Sequence, residues 1–280
     1  MIPLRFYIVF TLATLFQGSN AQSYDAIFKD SLLNEIEVNK DTAFFEDLIK
    51  TIVEDGRLDK NSKLELINSA TLRLKDLNYV LLKSKYDFIK SIQKTIEGDY
   101  TSAIQLLQPN LQIFEKHNSI YAAMSYNTMG NMVDRMGDKD LAIAYLTKAI
   151  ELTQNSNLNK EQRAVQNSNN NLVLGNIYFA HDQMVEAEFY FNLANNLSYL
   201  DSTSVNKEKC FSLINLAKLE LRKGNYRLCI EKNNSAILLA QIKNYPDIIA
   251  YANLRSGIAY TKMKQFDSAL IHYNKAEAIT

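Results

Sequence analysis

Residues 171–194 read NLVLGNIYFAHDQMVEAEFYFNLA, and this stretch decides the fold. Small residues stand at Gly175, Ala187 and Ala194, and Phe191 supplies a large ring between the last two. Small side chains at such places let two antiparallel helices approach closely, while large side chains fill the space between helix layers. The stretch therefore predicts a helical hairpin.

The same arrangement of small residues recurs along the chain, which indicates a repeat architecture. The first small site is occupied by Gly130, Gly175, Ala217 and Gly257. The second site, twelve residues later, is occupied by Ala142, Ala187, Cys229 and Ala269. The third site, seven residues further on, is occupied by Ala149, Ala194, Ala236 and Ala276. A weaker unit upstream has Ser91, Ala103 and Asn110 in the same places.

Turn residues lie between the first and second small sites of three units, at Gly98-Asp99, Gly137-Asp138 and Gly224-Asn225. Glycine readily adopts the left-handed conformation that ends a helix, and Asp or Asn then caps the next helix. The whole chain has only eight Gly and three Pro among 280 residues. This shortage favours long helices joined by short turns.

The pattern resembles the tetratricopeptide repeat family, which has Leu-Gly, Tyr, Ala, Phe and Ala at these offsets. The resemblance covers residues 85–280 and implies an all-α, right-handed solenoid of helical hairpins. It places the repeats at about residues 85–117, 123–155, 168–200, 210–242 and 250–280.

Three features depart from that family pattern. At the position of the aromatic residue that opens the family motif, this sequence has Tyr126, Asn171, Leu213 and Asn253. Glu220 and Asn233 stand where aromatic residues are usual, which predicts a locally looser repeat. Successive first small sites are 45, 42 and 40 residues apart, against 34 in the standard unit, which suits longer helices or longer loops.

Residues 22–84 show amphipathic helical patterns without the full motif. Terminal repeats of solenoids are commonly atypical because they present a solvated face, so we interpret this region as a cap with a degenerate repeat. No solvating helix follows the last repeat before Thr280. We therefore expect a downstream domain, self-association or another partner to cover that end.

The N-terminus has the pattern of a secretory signal peptide, over residues 1–21. A basic residue, Arg5, precedes an apolar stretch of 11 residues, from Phe6 to Phe16. Ser19 and Ala21 then supply the small residues that a signal peptidase reads. The stretch is shorter than the roughly 20 residues that span a bilayer, which disfavours a membrane anchor. We expect the mature protein to be exported to a periplasm or outside the cell, with no membrane insertion.

Composition and motifs argue against catalysis and against nucleic-acid binding by this segment. The chain has 31 basic and 31 acidic residues, so it has no basic surplus. It has no Gly-rich phosphate loop, no Gly-x-Ser-x-Gly elbow and no His-Glu-x-x-His pair. His117, His181 and His272 are isolated in sequence, whereas zinc sites need clustered ligands. We predict no catalytic residue, no metal site and no cofactor.

The two cysteines, Cys210 and Cys229, are predicted to stay unpaired. Cys229 occupies a second small site and should face the first helix near Ala217. Cys210 lies seven residues before Ala217, or roughly 10 Å along that helix. A disulfide requires Cα atoms within about 7 Å of each other.

The inner face of the solenoid is the candidate binding site. In the resembled family, the first helix of each hairpin lines a concave groove, and the residue after the Gly site faces inward. That rule selects Asn131, Asn176, Lys218 and Ile258. Nearby polar candidates are Asn127, Asn215, Arg222, Arg255 and Lys262, and nearby apolar ones are Leu172, Phe179 and Tyr251. Asn side chains can hold an extended peptide backbone, while Lys and Arg can bind a carboxylate.

The sequence thus favours a scaffold that binds a peptide or protein segment, which would not be an enzyme. The alternative is an extracytoplasmic sensor arm, continuing into a membrane helix and then a kinase or DNA-binding domain. An apolar segment of about 20 residues downstream in the gene would favour the sensor. An enzyme would need a His or carboxylate cluster that only folding creates.

We expect the mature protein to begin at Gln22, because the small-x-small pair of Ser19 and Ala21 follows the apolar stretch there. Intact mass spectrometry of the exported protein measures the start of the chain. A mass that still includes residues 1–21 would show that the signal-peptide interpretation is wrong.

Overall fold

The computed structural model describes residues 21–117, 120–198 and 207–279, and within these ranges all the regular structure is helical. The predicted signal peptide lies outside the described residues, except for Ala21. The α-helices are, in chain order, α1 (Ala21–Val38), α2 (Thr42–Glu54), α3 (Lys60–Asp76), α4 (Val80–Ile96), α5 (Tyr100–Leu107), α6 (Leu111–Lys116), α7 (Ile120–Arg135), α8 (Lys139–Gln154), α9 (Lys160–Ala180), α10 (Met184–Ser198), α11 (Lys207–Lys223), α12 (Tyr226–Ile242), α13 (Pro246–Lys262) and α14 (Phe266–Glu277). A short 3-10 helix, Gln108–Asn110, separates α5 from α6.

The chain forms two compact units, which divide between Phe114 and Glu115. The first unit is built on a core of apolar side chains from α1 to α4, among them Ile36, Phe45 and Leu66. The fully buried Tyr86 belongs to the same core, and its hydroxyl donates a hydrogen bond of 2.8 Å to the Phe45 carbonyl. The upstream helices that lack the repeat motif therefore share a well-formed interior.

The second unit is a stack of helical hairpins: α7 with α8, α9 with α10, α11 with α12, and α13 with α14. Each hairpin packs on the next, and the first helices α7, α9, α11 and α13 also contact one another in succession. Successive second helices make no contact of comparable extent within the described residues. The first helices therefore lie on the inner side of the stack. The predicted all-α solenoid of helical hairpins is confirmed.

At the first small site, glycine lets the two helices approach closely in three of the four hairpins, and alanine takes that place in the fourth. A Cβ added at Gly175 would lie 2.5 Å from the ring of Phe191, and one added at Gly257 would lie 2.5 Å from the ring of Tyr273. These distances are well inside van der Waals contact. Ala187, at the second small site of the hairpin of α9 and α10, is fully buried. The spacing of small and large residues thus reflects a real packing constraint.

The left-handed glycine is confirmed in all three predicted turns, at Gly98, Gly137 and Gly224. The side-chain cap is confirmed in only two of them. Asp99 accepts a hydrogen bond from the backbone nitrogen of Ser102, and Asp138 accepts one from Leu141, as helix caps do. Asn225 was expected to cap α12, but its side chain makes no capping hydrogen bond. Its Nδ2 donates instead to the buried carboxylate of Glu220, at 2.8 Å. A buried carboxylate competes for the amide because an unpaired one is costly.

Both cysteines are buried free thiols, as predicted. Cys210 packs with Ala236 and Ile248, whereas Cys229 packs with Ala217 and Ala259 in a different cluster. Burial raises the pKa of both thiols to about 11. They therefore serve as small apolar residues of the interior.

We expect Ala187→Leu to lower the free energy of unfolding by about 1–3 kcal/mol, because the larger side chain overpacks a site closed by Phe191. Ala144→Leu is the matched control: it makes the same change on the exposed side of α8 and should shift stability by at most about 0.5 kcal/mol. Urea unfolding monitored by circular dichroism measures both variants. Equal stability of the two variants would contradict the packing account.

Candidate inner-face binding site

The residues selected for the inner face lie on the four first helices of the second unit. Asn131 on α7, Asn176 on α9, Lys218 on α11 and Ile258 on α13 are all half-buried. Because these helices contact one another in succession, side chains at equivalent positions can meet across them. Two of the four, Lys218 and Asn176, do meet in this way.

Lys218 is the centre of this face. Its Nζ donates a hydrogen bond of 3.3 Å to Oδ1 of Asn176 and lies 4.0 Å from the ring centroid of Phe179. No ion pair joins Lys218 to an acidic side chain in the described part of the chain. Burial, together with the charge of Arg255, lowers the pKa of Lys218 to about 8. The ammonium group is thus held next to a second cation without a balancing carboxylate.

Arg255 of α13 supplies that second cation. Its guanidinium carbon lies 4.6 Å from the ring centroid of Tyr251, and one Nη donates a hydrogen bond to the Tyr251 hydroxyl. The buried Nε of Arg255 has no hydrogen-bond partner among the described residues. Arg255 therefore retains an unused donor, and no ion pair joins it to an acidic side chain in the described residues.

Arg222 differs from the other two cations because it is already neutralised. Its Nη2 lies 2.6 Å from Oδ1 of Asp182, in the turn between α9 and α10. Its guanidinium carbon is 6.0 Å from the ring centroid of Phe179. The ring of Phe179 thus has two cations from the same helix near it, Lys218 and Arg222.

The remaining predicted residues do not join this group. Asn127 was assigned to the groove, but it is only 8% exposed, and its Nδ2 donates to Oδ1 of Asn170 at 2.8 Å. Asn131 accepts a hydrogen bond from Nε of Arg135 in its own helix. Asn215 is half-buried one turn before Lys218. The structure therefore brings together Asn176, Phe179, Lys218, Arg222, Tyr251 and Arg255.

The assignment of Asn127 is wrong because α9 buries several polar residues. Asn170 receives the hydrogen bond from Asn127 and donates one of 3.2 Å to Thr153. Ser168 donates to the Ala194 carbonyl at 2.9 Å. The sequence signal for this network was the run QNSNNN at residues 166–171, which is too polar for an ordinary core-facing stretch.

No other feature of the described residues competes with the inner face as a site of chemistry. The described ranges contain no group of three or more His, Cys, Asp or Glu that could hold a metal ion. None of the described helices has the length and apolar character needed to cross a bilayer. A surface cavity of about 430 Å³ at the turn between α11 and α12 contains none of the predicted groove residues.

Comparison with solved structures places the fold among helical-hairpin solenoids. BtubC (BKLC) from P. vanneervenii is 16% identical, with a TM-score of 0.55 over 93% of this chain and 91% of that chain. A Rap protein complexed with Competence and Sporulation Factor is 13% identical, with a TM-score of 0.62 over 89% and 79% of the two chains. Aspartyl phosphate phosphatase F from Bacillus subtilis is 13% identical, with a TM-score of 0.62 over 92% and 70%. At these identities the likeness shows the fold alone.

The sequence profile of the tetratricopeptide repeat matches residues 93–155, which include the hairpin of α7 and α8. This part of the chain is therefore similar to tetratricopeptide repeats, and the same small sites recur in the hairpins that follow it. No curated protein sequence matches the chain.

We expect Lys218→Met to raise the free energy of unfolding at pH 7, because the folded parent holds a half-buried ammonium group that the unfolded chain exposes to water. The folded-state pKa of about 8 lies below the ordinary value of 10.5, so between these values the unfolded chain binds more protons. The parent therefore gains stability as the pH rises from about 8 to about 10.5, and the advantage of the variant shrinks over that window.

Urea unfolding of both proteins between pH 7 and 10.5 measures this difference. Lys262→Met is the matched control, since Lys262 is exposed on α13. A Lys218→Met protein less stable than the parent at pH 7 would contradict the assigned burial cost.

Proposed function

We propose that this protein is a non-catalytic scaffold that binds a peptide or protein segment on the inner face of its second unit. In this proposal a ligand carboxylate meets Lys218 and Arg255. The observation that carries the proposal is that Lys218 and Arg255, near enough for the charge of Arg255 to lower the pKa of Lys218, are partly buried and form no ion pair with an acidic side chain in the described residues. A ligand that supplies a negative charge would balance both cations.

The energetics favour an anionic ligand. Removing a charge from water is costly unless the charge is paired and hydrogen-bonded. At Lys218 that cost is only partly offset by the amide of Asn176 and the ring of Phe179. A hydrogen bond to a charged group contributes about 1.5–3 kcal/mol, so a carboxylate that reaches both cations would supply a large part of a micromolar affinity.

The surrounding side chains suit a peptide. The Asn176 amide has donors that can hold a backbone carbonyl, and the rings of Phe179 and Tyr251 offer apolar contacts on either side of the cations. Extended surfaces of repeat solenoids commonly bind ligands. The Rap protein of similar fold was solved in complex with Competence and Sporulation Factor, which supports a ligand-binding use of this architecture.

The proposal includes export, which rests on the N-terminal pattern of residues 1–21. Its partner would accordingly be met in the periplasm or outside the cell. In the sensor-arm alternative the same inner face binds the ligand, and a kinase or DNA-binding domain beyond a membrane helix receives the signal.

Two synthetic pools of random hexapeptides test the inner face, one with free carboxyl termini and one amidated. We expect the parent chain to retain peptides rich in Asp, Glu or a free C-terminus. The Lys218→Gln/Arg255→Gln double variant should bind the selected peptides at least about tenfold more weakly, which is about 1.4 kcal/mol, by fluorescence anisotropy.

Two controls accompany that comparison. Asn131→Ala changes an inner-face residue that makes its hydrogen bond within α7, and Arg222→Gln removes a cation already paired with Asp182. Both controls should bind the selected peptides within about threefold of the parent, or about 0.65 kcal/mol. Selection of peptides without acidic groups, or unchanged binding by the double variant, would overturn the proposal.

A further inference from the structure

The outer face of α10 carries a ridge of exposed apolar side chains. Val185, Phe189 and Leu193 are 79%, 61% and 36% exposed and follow one another at intervals of four residues. At that spacing the three lie on one side of the helix and span about 12 Å. The buried residues of α10, Ala187, Phe191 and Ala194, lie on the opposite side. The ridge is therefore not needed to hold the hairpin together.

At the equivalent positions of the neighbouring second helices, which follow from the repeat register, charged or small residues dominate. They are Asp140, Ala144 and Lys148 in α8, Arg227, Glu231 and Ser235 in α12, and Asp267, Ile271 and Lys275 in α14. The last helix, α14, also exposes large apolar residues, Phe266, Leu270 and Ile271, but only the first two of them are four residues apart, so they form no row of three. Contiguous exposed apolar side chains of this kind are found at interaction surfaces.

The central ring of the ridge is held in place before any partner binds. Phe189 packs edge-to-face on Tyr190, with ring centroids 5.1 Å apart. Tyr190 in turn stacks on Tyr178 of α9, with centroids 5.2 Å apart and planes 4° from parallel. A fixed aromatic side chain loses little conformational entropy on binding, which is the property of a good interface anchor.

The charge of α10 and the size of the ridge indicate which kind of partner the ridge binds. α10 contains no Lys, Arg or His, and Glu186 beside the ridge has no ion pair among the described residues. A membrane surface is disfavoured, because helices that bind anionic lipid carry basic residues on their polar face. A second copy of this chain is also disfavoured as the partner. Three side chains cover much less than the roughly 800 Å² that each partner buries in a stable dimer. Two α10 helices packed together would also bring their acidic residues next to each other.

We propose that the ridge of Val185, Phe189 and Leu193 docks a short amphipathic helix of a protein partner, with basic residues flanking its apolar stripe. An apolar stripe of three side chains about 12 Å long matches two turns of such a helix. A Lys or Arg beside the stripe would meet Glu186. This surface is separate from the inner-face site, since it lies on a second helix rather than on the first helices.

Two amidated peptides of 15 residues, used as probes at about micromolar concentration, test the ridge. Both are Ala-based helices with Leu at three positions spaced by four residues; one has Lys beside the Leu stripe and the other has Glu. We expect the full chain to bind the Lys peptide at least about tenfold more tightly than the Glu peptide, by fluorescence anisotropy. Phe189→Asp should weaken binding of the Lys peptide at least about tenfold, and Glu186→Lys should reverse the preference.

Leu238→Asp is the matched control, since Leu238 is 64% exposed on α12, and it should leave binding unchanged. Val185→Asp repeats the ridge test at a more exposed position, in case Phe189→Asp lowers the melting temperature. Lys218→Gln/Arg255→Gln should also leave this binding intact, which separates the ridge from the inner face. Unchanged binding by both ridge variants would overturn the proposal.

Three other outcomes would also overturn it. Equal affinity for the Lys and Glu peptides would show a contact without charge selection. Sedimentation of a parent dimer that Phe189→Asp dissociates would make a second copy the occupant. Co-sedimentation of the parent, but not of Phe189→Asp, with vesicles of anionic phospholipid would make the membrane the occupant.

Discussion

Three of the four hairpins of the second unit depend on the space that a missing side chain leaves, because Gly130, Gly175 and Gly257 occupy their first small sites. At Gly175 and Gly257 the facing ring of Phe191 or Tyr273 occupies the place where a Cβ would stand. This contact sets the distance between the two helices of a hairpin, and the buried alanines at the other small sites let the next hairpin pack as closely. Because the spacing recurs, the first helices come into contact with one another in succession.

That succession of first helices gives the inner face its chemistry. Asn176 and Lys218 come from different hairpins, 42 residues apart in sequence, yet their side chains are hydrogen-bonded. Packing of the hairpins withdraws Lys218 from water and brings Arg255 near it, and the pKa of Lys218 falls as a result. The scaffold thus holds in place a group whose burial costs stability. Such local costs are commonly found where a protein binds a ligand.

The fold could be predicted from the sequence because its decisive constraint is steric and periodic. A small residue every 40 to 45 positions, with partners twelve and nineteen residues later, leaves few alternatives to stacked hairpins. Polar side chains are harder to place, since their partners come from elsewhere in the chain. Asn225 stands at the start of α12 as expected, but its side chain donates to Glu220 and does not cap the helix. Asn127 was expected in the groove and instead meets Asn170, whose burial depends on how α9 packs against α7.

The binding site, like the fold, could be predicted from the sequence only in part. The register placed Asn176 and Lys218 at equivalent positions, but it could not show that Asp182 neutralises Arg222 while Lys218 and Arg255 lack such a partner. The outer ridge was missed for a related reason. The register assigned Ala187, Phe191 and Ala194 to the packed side of α10, but it could not show that no other helix in the described part of the chain covers Val185, Phe189 and Leu193 on the opposite side.

The most direct test of the account is an NMR titration of the Lys218 side chain, free and saturated with an acidic peptide selected by the chain. A carboxylate beside Lys218 favours its charged form. The account predicts that the pKa of Lys218 rises from about 8 in the free protein toward its ordinary value of 10.5 in the complex. A pKa that stays at its free-state value when the peptide is bound would contradict the central claim that Lys218 awaits an anionic partner.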